Sequence, residues 1–84
     1  EYVGTYTLAP MAVFDISTRA GHLMAKLTGQ QNFPVHCDRK DHFVYDVVEA
    51  ALTFERDDKG AVTALILHQN GVDQRVPRTA ASGN

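Results

Sequence analysis

The sequence predicts an all-β domain, an antiparallel meander of about eight strands that forms a small barrel or a strongly curled sheet. Apolar residues recur at every second position in most segments, which is the period of a half-buried strand. Turn residues separate these segments at a spacing of roughly 8–12 residues. Asn70-Gly71 is the strongest short-range hairpin signal that a sequence can carry. Because an open meander exposes two edge strands, closure of the sheet is favoured.

Length and composition limit the classes of function. The 84 residues are 44% hydrophobic and 21% charged, which is typical of one globular domain. The formal net charge of −2 offers no electrostatic basis for binding nucleic acid or an anionic membrane. No apolar run reaches about 18 residues, so no membrane span is expected. We expect one domain over residues 2–78 and a flexible, small and polar tail over residues 79–84.

The first three strands are predicted at residues 2–8, 12–19 and 23–27. Each alternates apolar with polar side chains, as in a sheet with one wet face. Pro10 ends the first strand, since proline lacks a backbone N–H. Ala20-Gly21 predicts a tight turn between the second and third strands, and the polar residues 29–32 predict a loop.

The middle of the chain is less regular. Residues 33–38 alternate, but Pro34 is typical of an edge or irregular strand. The charged run at residues 38–41 predicts a turn, which we interpret as a solvated loop. Residues 43–45 predict a short strand.

Residues 48–55 form the next alternating segment, followed by a turn that ends in Gly60. Asp46 and Glu49 resemble a capping box, so one or two helical turns within residues 46–52 are an alternative to a strand there.

The hairpin around Asn70-Gly71 organises the chain. Residues 62–68 form an apolar first arm, and residues 72–76 form a more polar return. Pro77 is expected to end the pairing, because it has no N–H to donate.

The first arm of this hairpin is apolar on both faces. The residues expected to fill the barrel interior are Tyr6, Phe14, Leu23, Leu27, Phe33, Leu52, Phe54 and Ile66. If Ile66 points inward, Leu65 and Leu67 lie on the outer wall. Two adjacent exposed leucines are unusual in a monomer, so we predict an interface at Leu65 and Leu67. The candidate covers are other parts of this chain, a second copy or a neighbouring domain.

The inventory of reactive side chains is small. Ser17 and Ser82 lie in no nucleophile elbow. Cys37 is the single cysteine; His36 beside it points to the opposite face of a strand, so Cys37 is interpreted as a small core residue. His36 and Asp38 share a face, but two ligands are weak evidence for a metal. The sequence therefore predicts no catalytic residue, no metal site and no cofactor, and leaves any small-ligand site unassigned.

Five segments resemble a known family of domains. They are Tyr2-Val-Gly-Thr-Tyr6, Leu27-Thr-Gly-Gln30, Phe54-Glu-Arg-Asp57, Gly60-Ala-Val-Thr-Ala-Leu65 and His68-Gln-Asn-Gly71. Together they resemble the small domain often found behind beta-lactamase-like serine hydrolases, which include penicillin-binding-protein-type esterases and D-amino-acid peptidases. The resemblance covers about residues 2–78. It departs from the usual pattern at Pro10-Met11 and through residues 33–40.

The resemblance implies a lipocalin-like, non-catalytic barrel attached after the hydrolase domain of the same parent chain. Such a domain helps to shape the active-site entrance or supports contacts in a homo-oligomer. The parent's nucleophile lies outside this chain, so the domain itself is not expected to be an enzyme. The alternative function is a small barrel that binds an apolar ligand. The resemblance favours a periplasmic or secreted location, with the cytoplasm as the alternative.

Overall fold

Eight antiparallel strands close into a barrel in the computed structural model, which describes residues 2–9 and 12–81. The strands are β1 (Gly4–Ala9), β2 (Ala12–Arg19), β3 (His22–Leu27), β4 (Phe33–Arg39), β5 (His42–Tyr45), β6 (Ala50–Arg56), β7 (Val62–Gln69) and β8 (Val72–Ala81). Each strand pairs with the next in sequence, and β8 pairs with β1. The predicted all-β meander and its closure into a barrel are confirmed.

The barrel interior is a continuous apolar core to which all eight strands contribute. Its buried members are Tyr6, Phe14, Ile16, Leu23, Ala25, Val35, Phe43, Leu52, Phe54, Val62, Leu65 and Val76. The Phe54 ring is central, with centroids 4.6 Å from the Tyr2 ring, 5.8 Å from Tyr6 and 5.6 Å from Phe43. Stacking of this kind adds to the hydrophobic stabilisation from burial.

The register of β7 corrects the predicted interface. Leu65 lies opposite Phe54, and Leu67 lies opposite Leu52. Directly opposed residues share a face of the sheet, so both leucines point into the barrel, where Leu65 is 0% exposed and Leu67 packs against the core. The prediction that they lie on the outer wall, with Ile66 inside, is wrong. A strand with two apolar faces does not reveal which face is internal.

The outer face of β7 is covered by side chains of this same chain. Ile66 lies opposite Arg75 of β8, and Ala64 lies opposite Glu55 of β6. The Arg75 Nε donates to Glu55 Oε1 at 2.9 Å, so this ion pair crosses β7 between the two apolar residues. The aliphatic part of an arginine side chain shields apolar surface well. This ion pair therefore covers part of the second apolar face of the strand.

Strand β8 is longer than expected. The strand continues through Pro77 to Ala81, whereas Pro77 was predicted to end the pairing and residues 79–84 to form a tail. Pro77 is the last partner of β7, and Arg78 is the first partner of β1. Closing the barrel supplies hydrogen-bond partners beyond the proline, so the strand extends. Residues 82–84 of the expected tail lie outside the described residues.

The predicted turns are largely confirmed. Asn70 and Gly71 both have positive φ, 55° and 75°, as the two-residue hairpin requires. Ala20 and Gly21 form the same kind of turn, with φ of 53° and 81°. Residues 46–49 are bends and not a helical turn, and β6 begins at Ala50.

A meander brings its connections alternately to the two ends of the barrel. One end carries residues 20–21, 40–41 and 57–61, and we call it the closed end. The other carries residues 28–32, 46–49 and 70–71 together with the last residues of β1, and we call it the open end. Within the described ranges, no helix is long and apolar enough to cross a membrane.

Candidate functional site

The open end of the barrel contains an apolar pocket of about 230 Å³. Its apolar lining comprises Phe14, Leu27, Phe33, Tyr45, Val48, Ala50 and Leu67. Gln30 and Gln69 add an amide group each. The rings of Phe33 and Tyr45 meet edge to face at 6.2 Å, and burial raises the pKa of the Tyr45 hydroxyl. The pocket is therefore a neutral, aromatic-walled recess with two polar groups.

The pocket exists because side chains fill the centre of the barrel but not its open end. The interior was expected to be filled, and Tyr6, Phe54 and Leu52 do fill its centre. Toward the open end the predicted interior residues Leu27 and Phe33 are only partly buried and line the recess. Ligand pockets in proteins usually measure about 300–1,000 Å³, and a dry cavity of about 150 Å³ can bind benzene. The recess therefore suits one small apolar group.

Exposed hydrophobic side chains lie at the same end of the barrel as this recess. The large ones among the described residues are Leu8, Val47, Val48 and Val72, exposed by 40%, 61%, 42% and 60%. Leu8 lies near the end of β1, Val47 and Val48 lie in the β5–β6 connection, and Val72 begins β8. All four positions belong to the open end. We call them the apolar rim.

A shallow depression of about 540 Å³ adjoins the apolar pocket on the outer wall. Ala50 and Gln69 line both cavities. The depression also contains the carboxylates of Glu49 and Asp73. The open end thus combines an apolar recess with a neighbouring acidic surface.

The opposite end carries a partly buried ion pair. Arg56 Nε and Nη2 donate to both carboxylate oxygens of Asp41 at 2.8–3.0 Å. Tyr2 donates its hydroxyl to Asp41 Oδ1 at 2.7 Å, and Arg56 Nη1 donates to the Gly60 carbonyl at 2.7 Å. The side chains of Arg56 and Asp41 are only 20% and 15% exposed. The interpretation of residues 38–41 as a solvated loop is therefore wrong for Asp41.

This ion pair predicts a specific loss of stability in acid. Hydrogen bonds from Arg56 and Tyr2 lower the pKa of Asp41 from 3.8 to about 2, and Lys40 adds a smaller effect. Because the folded state favours the ionised carboxylate, its contribution is complete above about pH 4 and disappears as the pH falls toward 2. Urea unfolding from pH 5 to pH 2 should therefore show a smaller change for Asp41→Asn than for the unmodified chain.

The exposed Asp58 on the neighbouring turn provides the control for this measurement. Asp58→Asn should keep the acid-dependent loss of the unmodified chain. An equal acid-dependent loss in Asp41→Asn and the unmodified chain would contradict the assignment.

A second arginine secures the closure between the first and last strands. Arg78 donates to the carbonyls of Val3 at 2.6 Å and Val62 at 3.0 Å, and its guanidinium carbon lies 5.8 Å from the Tyr6 ring centroid. Tyr6 donates to the Tyr2 carbonyl at 2.7 Å, and burial raises the Tyr6 pKa to about 12. These contacts tie the segment before β1 to β7 and β8 at the closed end.

Three histidine–aspartate pairs lie on or near the outer wall. They are His36 with Asp46, His42 with Asp38 and His68 with Asp73. His36 and Asp38, considered as a metal pair from the sequence, thus have different partners. Among the residues that the structure describes, no group of three or more His, Cys, Asp or Glu side chains could hold a metal ion.

His68 also forms a chain of hydrogen bonds that the sequence did not reveal. Its Nδ1 lies 2.8 Å from Asp73 Oδ1, and its Nε2 lies 2.7 Å from Thr53 Oγ1. The order of carboxylate, imidazole and hydroxyl resembles a catalytic triad. However, Thr53 lies inside β6, between β5 and β7, where backbone N–H groups pair with neighbouring strands. Acyl transfer needs free N–H donors to stabilise an oxyanion. We therefore interpret this chain of hydrogen bonds as a structural link between β6, β7 and β8.

Cys37 and Ser17, which were also considered from the sequence, are not part of this chain of hydrogen bonds. Cys37 is exposed and donates to the Arg39 carbonyl at 3.0 Å, because a bulge between Cys37 and Arg39 interrupts the alternation of β4. Its interpretation as a core residue is wrong. Ser17 is half-buried within β2, and Ser82 lies outside the described residues.

Comparison with known proteins identifies a family but no activity. The family model described as "Domain of unknown function (DUF3471)" matches residues 1–78. No curated protein and no solved structure matches the chain.

Proposed function

The chain belongs to the DUF3471 family, and on that premise we propose that it is a non-catalytic accessory domain of a beta-lactamase-like serine hydrolase or peptidase. In this proposal the domain docks through its open end and shapes the entrance to the parent's active site. The five segments that resemble the small domain of such hydrolases support the identity of the partner. A homo-oligomer formed through the same end is the competing arrangement.

The apolar rim is the observation that carries this proposal. Isolated exposed hydrophobic side chains are ordinary, whereas a group of them around a recess is typical of an interaction surface. Leu8, Val47 and Val72 come from three separate parts of the chain and all lie at the open end of the barrel. At the closed end, the most buried charged groups, Asp41 and Arg56, pair with each other. The docking surface therefore lies at the open end.

The proposal is tested first on the full reading frame that encodes this chain. A hydrolase domain with a Ser-x-x-Lys motif should precede residue 1. If it does, the two domains should bind each other when produced separately, and calorimetry should show a Kd about tenfold weaker for Val47→Asp. Ala61→Asp, at an exposed position of the closed end, should bind within about twofold of the unmodified chain.

Two results would overturn the proposal. One is a reading frame without a hydrolase domain. The other is unchanged binding by Val47→Asp. Self-association that Val47→Asp abolishes, without binding to the hydrolase domain, would instead support the homo-oligomer.

The isolated chain should not hydrolyse p-nitrophenyl acetate above the background rate. Its carboxylate–imidazole–hydroxyl chain ends on Thr53 within a paired strand, without free donors for an oxyanion. Turnover that Thr53→Ala abolishes would contradict the non-catalytic assignment, as would turnover abolished by Ser17→Ala or Cys37→Ala.

The apolar pocket favours a second candidate, the binding of a small apolar molecule. Its volume of about 230 Å³ and its aromatic wall suit a single bicyclic ring. Titration with indole, followed by two-dimensional amide NMR, should then shift the amides of Leu27 and Gln69. The two candidates differ in their effect on the apolar rim. A small molecule inside the pocket leaves Leu8 and Val47 exposed, whereas a docked domain buries them.

A further inference from the structure

The two ends of the barrel differ in charge. In the open-end connections over residues 28–32, 46–49 and 70–71, the charged residues are Asp46 and Glu49. Asp73 follows one residue after Val72. The closed-end turns carry both signs, with the basic residues Arg19, Arg39, Lys40, Arg56 and Lys59 beside the acidic residues Asp41, Asp57 and Asp58. The open end therefore presents carboxylates next to its apolar groups.

The carboxylates and the apolar pocket are geometrically connected. Glu49 and Asp73 line the depression, which shares Ala50 and Gln69 with the pocket. A ligand that occupies both cavities thus places an apolar group in one and meets carboxylates in the other. Opposite charge at an interface sets orientation and partner choice.

We propose that the open end binds a basic protein segment that inserts one apolar side chain, such as phenylalanine, into the pocket. Lysine or arginine side chains beside this anchor face Glu49 and Asp73. The inference rests on the proposed docking through the open end and adds the chemistry of the partner's surface.

Three features support an anchor side chain as the occupant of the pocket. Binding energy at protein interfaces concentrates in a few large side chains that fill pockets. The volume of about 230 Å³ matches one such side chain. The amides of Gln30 and Gln69 at the pocket offer hydrogen bonds to the backbone of an entering segment.

The apolar rim favours a protein segment over a small molecule. Leu8, Val47 and Val72 do not line the pocket, yet they are 40–61% exposed around it. A small molecule bound in the pocket leaves them in water, whereas a protein surface covers them together with the anchor.

Capped synthetic peptides test the proposed chemistry directly on the 84-residue chain. The probes are Lys-Lys-Phe-Lys-Lys, Lys-Lys-Ala-Lys-Lys and Glu-Glu-Phe-Glu-Glu, each titrated in two-dimensional amide NMR. We expect the first to bind about tenfold more tightly than either other peptide. Its shifts should centre on Leu27, Val48 and Gln69. Raising the salt concentration from about 50 to about 500 mM should weaken the binding of this peptide.

Matched variants separate the acidic contribution from the apolar one. Glu49→Lys at the open end should weaken the basic phenylalanine peptide about fivefold, while Asp58→Lys at the closed end, with the same change in charge, should not. Ala50→Leu should reduce binding to the level of the alanine peptide, because leucine enters the pocket. Ala61→Leu, at an exposed closed-end position, should leave binding unchanged.

The outcomes distinguish this inference from the proposed function. Equal binding of the basic and acidic phenylalanine peptides overturns the inference even where the hydrolase domain binds the rim. Binding of indole with no peptide binding overturns it in favour of a small apolar ligand. Selective binding of the basic phenylalanine peptide supports it, and a failure of the hydrolase domain to bind then rejects only the proposed parent.

Discussion

Replacing Arg56 with alanine is expected to lower the free energy of unfolding by about 2 kcal/mol, because it leaves the partly buried Asp41 carboxylate without its charged hydrogen-bond donor. Arg56 makes two-pronged contacts to Asp41 and a third to the Gly60 carbonyl. These groups also hold the Tyr2 ring, whose centroid lies 5.1 Å from the Phe43 ring. Urea unfolding monitored by circular dichroism measures the loss. Arg56 thus links the closed-end turns to the aromatic core.

Arg75→Ala is the matched control for this measurement. Arg75 also pairs with a carboxylate, that of Glu55, but the two side chains are 54% and 40% exposed. Exposed ion pairs contribute about 1 kcal/mol or less, so Arg75→Ala should have a small effect. Equal losses for Arg56→Ala and Arg75→Ala would show that the closed-end network contributes no more to stability than an exposed ion pair.

Leu65→Ala is expected to cost about 3 kcal/mol, within the range for truncating a fully buried leucine. Leu65 is 0% exposed and packs inside the barrel opposite Phe54 and Val76. The neighbouring Ile66→Ala provides a control of similar size on the outer face, where the side chain is partly exposed. Its loss should be about 1 kcal/mol. Thermal and urea unfolding of both variants measures the difference.

The comparison of these two variants also tests the register of β7. A larger loss for Ile66→Ala than for Leu65→Ala would mean that the strand presents its other face to the core. Leu67→Glu tests the same register by a different route, because it places a carboxylate beside the core. It should destabilise the barrel, whereas on an outer-wall interface it would only impair association.

Much of the fold follows from local chemistry that is visible in the sequence. Period-two alternation predicts strands, and Asn70-Gly71 and Ala20-Gly21 supply the positive φ angles of their turns. These signals are local, since they depend on a residue and its near neighbours. They are sufficient for the number and order of the strands. A beta-lactamase-like parent, by contrast, rests on resemblance and stays a proposal.

The candidate site was much less visible, because its parts are distant in sequence. Val48 and Leu67 line one pocket, and Leu8 and Val72 reach the same rim from opposite ends of the chain. Isolated valines and glutamines carry no site signal of their own. The meander order by itself places every second connection at the same end of the barrel. Only the packing of the core side chains shows that a recess lies there.

What the sequence by itself determined is the alternation, the turns and hence an eight-stranded antiparallel meander. Only the tertiary structure decided that Leu65 faces inward, that Asp41 pairs with Arg56 in a partly buried site and that β8 continues beyond Pro77. The physical reason is that alternation defines two faces without assigning either to the interior. That assignment comes from cross-strand register and from closure, which pair residues far apart in the chain.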